Sequence, residues 1–318
     1  MAPRPPLSTL VPKTYYRSLG PLLDRPTLAS APNWPAIFGR NAPRELEIGF
    51  GNGEFLDRSS QAAPERDFIG LEIAWSSVKR ALRRLANPPR ANARVAILPA
   101  YSGLALLFKS QSLSVIRVLF PVPWPRESHA GKRLLSTAFL NLVADRLTDQ
   151  GLFQLVTDDQ TLADWTLAEA QKSALSLTIT KEPAGLNTKY ERKWRDQGLN
   201  SFFHFTGRPK GFSQLIAPSL TSMRPTFLDH FDPLNYRPQG LTGPLTVIFG
   251  DLNYDVARRE GLLFTKVVEE GFVQEFFIRV SPLPDGRYKL SPAILGEALP
   301  TAGVQMALAL AALKAPHD

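Results

Sequence analysis

Between Arg44 and Asp159, short apolar runs alternate with amphipathic stretches, and this alternation sets the elements the chain predicts. "LEIGFGNG", starting at Leu46, reads as a strand entering a glycine turn, "EFLDRSSQAAP" as a helix, "DFIGLEI" as a second strand and "AWSSVKRALRRLANP" as a second helix. "ARVAILPA" and "SVIRVLF" supply two more strands, "STAFLNLVADRLTDQG" a helix ended by Gly151, and "LFQLVTD" a fifth strand. Such alternation is the mark of an α/β unit, a largely parallel sheet with helices on both faces. Ligands of such sheets gather at the carboxyl ends of the strands, where every motif discussed below falls.

The pattern changes on either side of this unit. Residues 1–40 hold eight prolines and little periodicity, which predicts an extended N-terminal arm whose Tyr15 and Tyr16 dock elsewhere. After about residue 210, proline-rich loops give way to "PLTVIFGDLNYD", "LLFTKVVEE", "GFVQEFFIRVSPLP" and "DGRYKLSPA". These read as an antiparallel meander, followed by a helix near Thr301–Leu313. The expected organisation is an arm over 1–40, an α/β domain over 41–209 and a smaller α+β domain over 210–318.

Composition narrows the class. A chain of 318 residues, 44% hydrophobic and 21% charged, has the make-up of a soluble globular protein with room for two domains. Its longest apolar run, Ala298–Leu313, contains Pro300 and Gly303 and falls short of a membrane span. The opening "MAPRPPLSTLVPK" lacks the apolar block of a signal peptide, so a cytoplasmic location is expected. Zero cysteines exclude disulfides and thiolate metal sites, and four scattered histidines predict no metal centre. The net charge of +8 is unevenly placed. Residues 1–209 carry 27 Lys+Arg against 18 Asp+Glu, and residues 210–318 carry 10 against 11. A basic unit beside a neutral one points to a polyanionic partner for the first, with nucleic acid the leading candidate.

The chemistry-bearing residues sit at strand ends. Glu47, Gly49, Gly51 and Gly53 form an acidic-x-G-x-G-x-G turn, in which glycines let the backbone bend sharply and let a ligand approach without meeting a Cβ. The dinucleotide fingerprint G-x-G-x-x-G is not met, because Gly53 is followed by Glu54. Glu72 ends the second strand, where an acceptor-only carboxylate suits the hydroxyls of a ribose. The second helix presents Arg80, Arg83 and Arg84 on one face by i, i+3, i+4 spacing, a face equally fit for solvent or for phosphates. After the fourth strand, "VLFPVPWPRESHAGKRLL" sets three prolines around Trp124 and then Arg126, His129, Lys132 and Arg133, a basic cluster at the sheet's carboxyl edge.

Together the glycine turn and Glu72 resemble the Class I S-adenosylmethionine-dependent methyltransferases. With "NWPAIFGRNAPRELEIGFGNGEFL", "FIGLEI", "FPVPWPRESHAGKRLL", "VTDD" and "TKYE" in order, the stretch from Asn33 to Phe205 resembles one family among them, the bacterial tRNA (guanine-N7)-methyltransferases. The resemblance implies a Rossmann-like sheet, S-adenosyl-L-methionine as cofactor, and methyl transfer to N7 of the guanosine at position 46 of the tRNA variable loop. It implies cofactor contacts from Glu47, Gly49, Gly51, Gly53 and Glu72. Substrate contacts fall to Arg126, Asp158, Thr188, Lys189, Tyr190 and Glu191, with Asp158 and Glu191 catalytic. Arg80, Arg83, Arg84, Lys132 and Arg133 are expected on the RNA backbone. Guanine offers N1–H and N2–H₂ donors that carboxylates accept, and its N7 already carries a lone pair, so alignment and charge replace a general base.

The chain departs from the family pattern in three places: Val122 stands where the family usually has Asp, no acid lies in Pro99–Tyr101, and Ser128 replaces an Arg before His129. Two rivals use the same residues: a catalytically silent tRNA-binding protein, and a methyltransferase acting on another RNA guanine. The oligomeric state, monomer or homodimer, and any partner of residues 210–318 are left open.

Overall fold

The computed structural model describes residues 19–23, 28, 32–183, 185–211, 220–269, 272–293 and 298–313, without the side chain of Lys132. Tyr15 and Tyr16 therefore lie outside the described residues. Among the described residues, α1 (Trp34–Phe38) is followed by the alternation β1 (Arg44–Ile48), α2 (Glu54–Ala62), β2 (Asp67–Glu72), α3 (Trp75–Leu85), β3 (Ala93–Ile97), α4 (Ala100–Leu107) and β4 (Leu113–Leu119). A 3₁₀ turn at Glu127–Lys132 precedes α5 (Thr137–Arg146), β5 (Leu147–Thr157), α6 (Gln160–Gln171), β6 (Leu175–Glu182), α7 (Lys189–Asp196) and β7 (Phe202–Pro209).

These strands form one seven-stranded sheet in the order β3-β2-β1-β4-β5-β7-β6. β1 to β5 pair in parallel, and β7 runs antiparallel to both β5 and β6. The strand order reverses between β1 and β4, the switch point at which open α/β sheets leave a crevice. The central strands are buried on both faces, as parallel strands under helices must be: Leu46, Ile69, Leu71, Val95 and Ile116 are all fully enclosed. α3 explains its own docking. Val78, Ala81, Leu82 and Leu85 point inward at i, i+3, i+4, i+7, and the basic residues between them point out.

The two flanks depart from expectation. Residues 33–38 are not an extended arm: Asn33 caps α1, the Trp34 indole donates to the Leu107 carbonyl at 3.1 Å, and its ring stacks on Phe108 at 5.1 Å. Residues 21–23 bond alongside Val95 at the edge of β3. The helix expected to reach Gly151 stops at Arg146, because Leu147 already pairs with Leu113. The register then jumps to Leu152 opposite Val115, taking up Thr148–Gly151 in a bulge.

A second, five-stranded antiparallel sheet follows. It contains β8 (Thr226–Leu228), β9 (Leu245–Asp255), β10 (Glu260–Glu269), β11 (Phe272–Pro282) and β12 (Tyr288–Pro292), in the order β8-β12-β11-β10-β9. α8 (Ala302–Ala312) covers one face of it, with Val304, Ala307, Leu308 and Ala311 packed on Val267, Phe276 and Ile278. Phe272 and Leu299 of this part belong instead to the core under the first sheet, and Phe272 stacks on Tyr101 of α4 at 6.2 Å.

Candidate active site

A cavity of about 490 Å³ opens at the carboxyl ends of β1, β2 and β4, at the switch point. Its floor is the glycine turn. Gly49, Gly51 and Gly53 have φ of 72°, 56° and 74°, left-handed values that other residues take up only with strain. A Cβ on Gly51 would meet nothing within 4 Å, so the backbone is bare toward the cavity. Gly53 does different work: a Cβ there would lie 2.6 Å from the Ala81 Cβ, so this glycine lets α2 and α3 pack closely and is not part of the cavity wall.

Glu47 and Glu72 both line the cavity. The Glu72 carboxylate is oriented by backbone N–H groups of the glycine turn and of the two residues that follow Glu72. Its Oε2 accepts the Gly51 N–H at 3.0 Å and its Oε1 accepts the N–H groups of Ile73 and Ala74 at 2.9 and 3.0 Å. Three of a carboxylate's roughly four acceptor sites are thus used, and one remains. Glu47 is 6% exposed and its Oε2 has no hydrogen-bond partner. Burial pushes its pKa up to about 8, against the pull of Arg117 and Arg58 and with a further push from Glu72.

The opposite wall comes from two segments distant in sequence. Phe120, Pro121, Val122 and Trp124 carry the chain out of β4, with Phe120 and Trp124 in the left-handed region at φ of 52° and 46°. Thr188, Lys189 and Tyr190 enter from the start of α7. Thr188 is the N-cap of α7: its hydroxyl accepts the Glu191 N–H at 3.3 Å, while the Glu191 Oε1 reaches past the cap to accept the Gly185 N–H at 3.0 Å and ties down the loop before the helix.

The structure thereby corrects several roles. Glu191 is 2% exposed and forms no part of the cavity wall; its Oε1 holds the Gly185 N–H of the loop before α7, and its Oε2 has no partner. Arg133 does not face outward. It is 5% exposed, donates to the carbonyls of Trp124 and Pro125, reaches Glu127 and lies 4.6 Å from the Trp165 ring centre, so it pins the proline turn from beneath. Asp159, the second acid of "VTDD", caps α6 by accepting the Leu162 N–H at 2.7 Å. Arg84 pairs with Glu54 at 3.0 Å, whereas Arg80 and Arg83 form no ion pair among the described residues, and Arg80 lies on the cavity rim. Arg126 is exposed beside the proline turn and outside the cavity wall. Asp158 is half-buried at the end of β5, also off the wall. Burial raises its pKa, aided by Asp159 and opposed by a backbone hydrogen bond and by Lys193.

Sequence reasoning missed Glu54, Phe55, Ile73, Ser77 and Phe120, which also line the cavity. Ile73 carried a usable signal. It is an apolar residue directly after the strand-end Glu72, and it is 70% exposed, so it offers an apolar surface beside that carboxylate. Among the described residues no group of three or more His, Asp or Glu is placed to hold a metal ion.

A glycine turn at the switch point, a carboxylate ending β2 and the 3-2-1-4-5-7-6 strand order define the architecture of a Class I methyltransferase. Residues 41–204 match the family described as "Putative methyltransferase". The chain is 33% identical over 284 residues to the tRNA (guanine-N(7)-)-methyltransferase of Deinococcus radiodurans, covering 84% of this chain and 87% of that protein. It is 34% identical over 173 residues to the enzyme of the same name from Thermotoga maritima, spanning 54% of this chain and 55% of that one, and 37% identical to that of Nitrosococcus oceani, spanning 52% and 72%. The chain belongs to the tRNA (guanine-N7)-methyltransferase family. The Deinococcus match is too long to fit within the first 209 residues, so at least part of the C-terminal region is shared with that relative.

Proposed function

We propose that the chain transfers a methyl group from S-adenosyl-L-methionine to N7 of guanosine 46 in the variable loop of tRNA. One observation carries this reading: the cavity is walled on one side by the glycine turn with Glu47 and Glu72, and on the other by Thr188–Tyr190. The residues present fit the cofactor. The buried, unpartnered Oε2 of Glu47 awaits a cation, the remaining acceptor site of Glu72 suits a ribose hydroxyl, and Gly51 leaves room for close approach. When bound, this cofactor supplies an electrophilic methyl group on a sulfonium.

The protein's share is placement and charge. Guanine N7 uses its own lone pair, so the N–C bond forms as the S–C bond breaks and no proton has to be removed. The base becomes cationic, and the carboxyl of Asp158 at the end of β5 is the acid proposed to favour that charge and to accept from the guanine donor edge. Glu191 contributes by fixing the Thr188–Tyr190 wall. Val122, 64% exposed on the cavity rim, offers no acceptor where relatives usually carry Asp, so Asp158 bears more of this task. Arg80, Arg83, Lys189 and Arg126 are proposed to meet tRNA phosphates, within a methyltransferase unit over 41–209 that works in the cytoplasm beside an accessory unit over 210–318.

The test is 7-methylguanosine formed in total tRNA with labelled cofactor. The expected product is one methyl group at guanosine 46. An Arg80→Ala/Arg83→Ala variant should bind tRNA more weakly, with a dependence on log[salt] shallower by up to about 2 × 0.7 to 0.9. Binding of tRNA without methylation would point to the silent-binder rival, and methylation of another guanine to the other.

A further inference from the structure

α7 is a poor helix by itself. It has eight residues, Lys189–Asp196, and six of them are charged. Short helices are marginal in water without tertiary anchors. Its apolar anchor is a small cluster in which Trp194, Leu186 and Leu199 pack on Val156 and Phe202. On the other flank the anchor is ionic and comes from α2, the helix that springs directly from the glycine turn.

Glu54, the first residue of α2 and itself part of the cavity wall, receives Arg192 Nη2 at 3.1 and 3.0 Å on its two carboxylate oxygens. Burial would raise the Glu54 pKa, but the Arg192 hydrogen bond, with the charges of Arg192 and Arg84, outweighs it and holds the carboxyl below its usual value. One turn further along α2, Arg58 donates to the carbonyls of Leu186 and Asn187. Arg192 Nη1 reaches the same Asn187 carbonyl, and Asn187 sits at φ 47°, the left-handed residue that turns the chain into Thr188.

We propose that Glu54, Arg58 and Arg192 form a latch that holds the Thr188–Tyr190 wall at a set distance from the glycine turn, which makes Arg58 and Arg192 positioning residues for methyl transfer. This rests on the reading that the cavity carries out that transfer. A misplacement of about 1 Å in such a wall costs on the order of 10²-fold in rate, so two arginines off the cavity wall acquire leverage over the reaction. The competing role for exposed arginines beside an RNA site is phosphate contact, and Glu54 separates the two. If Arg192 binds phosphate, removing its carboxylate partner frees it and leaves tRNA binding intact or stronger. If Arg192 is a latch, removing Glu54 is as harmful as removing Arg192.

The experiment compares Glu54→Gln, Arg192→Ala, Arg192→Lys and the double variant Glu54→Gln/Arg192→Ala. Single-turnover 7-methylguanosine formation is measured at saturating tRNA and cofactor, together with tRNA affinity, S-adenosylhomocysteine affinity by calorimetry, and amide exchange across Leu186–Tyr190. The latch predicts about a tenfold slower step in each alanine or glutamine variant and no further loss in the double, because the two share one interaction. It further predicts tRNA affinity unchanged within about twofold, partial rescue by Lys, which keeps the charge but loses the planar fork, and faster exchange in Leu186–Tyr190. A full-rate Glu54→Gln, additive losses in the double, or a loss in Arg192→Ala confined to tRNA affinity would overturn it. Should the wild type form no 7-methylguanosine, the functional reading fails by itself, and the exchange rates still decide the latch.

Discussion

Glu47 shows how much a single buried carboxyl reveals. Its unfolded pKa is near 4.5 and its folded value about 8, so between those values the folded chain holds a proton that the unfolded chain has released. Its stabilising contribution is complete below about pH 4.5 and is lost as pH rises toward 8, with a slope of at most about 1.4 kcal/mol per pH unit. The ligand-free protein should therefore melt at progressively lower temperature from pH 5 to pH 8, and Glu47→Gln should flatten that dependence. Parallel curves for variant and wild type would place the unpartnered Oε2 in contact with solvent. The residue was legible from its place before the glycines; its protonation was not, because burial depends on α2 and β4 closing over it. Arg133 is the opposite case. Its basic character pointed outward in the sequence, and the fold turned it inward to hold Trp124 and Pro125, whose carbonyls would otherwise go without these donors.

At the scale of elements, "TKYE" is the instructive stretch. Read as chemistry, it offers a hydroxyl and a carboxylate to a base; folded, it is a helix start, with Thr188 capping and Glu191 buried beneath. Its side chains orient a wall that Thr188, Lys189 and Tyr190 present to the cavity. Loss of such a cap costs about 1 kcal/mol, so Thr188→Ala should speed exchange of the Glu191 amide about fivefold while Thr188→Ser keeps it slow. Equal exchange in both would remove the capping role. The signature S/T-x-x-E was visible in the sequence, but so was a substrate motif, and only the direction of the Glu191 side chain separated them.

Across the whole molecule, the C-terminal sheet meets the methyltransferase unit through Phe272, 2% exposed and stacked on Tyr101. The neighbouring Ala100 lines the cavity, so this contact sits one residue from the cavity wall. Truncating a buried phenylalanine costs about 3–5 kcal/mol. Phe272→Ala should lower the melting temperature in a single transition and weaken S-adenosylhomocysteine binding, with Phe272→Leu intermediate. Two separate transitions with unchanged affinity would show the C-terminal part to be an independent appendage. Residues 210–318 carry 10 Lys+Arg against 11 Asp+Glu, a near-neutral balance that gives this part little attraction for a polyanion.

By itself the sequence determined the periodicities that make a parallel sheet with its glycine turn, the carboxylate at the end of β2, the antiparallel meander that follows, and the side of the chain on which positive charge collects. These are local properties: each follows from residues within a few positions of one another, through pleat, helix period and turn chemistry. Tertiary structure alone decided which charged side chains face the cavity. Glu54 and Arg58 share one face of α2, and Arg192, far along the chain, joins them only when α7 folds back onto α2. Arg133 and Glu191 lose their outward roles because neighbouring carbonyls and N–H groups need partners once water is excluded. Burial and hydrogen-bond satisfaction are sums over all surrounding elements, so a pattern read along one strand or helix does not contain them.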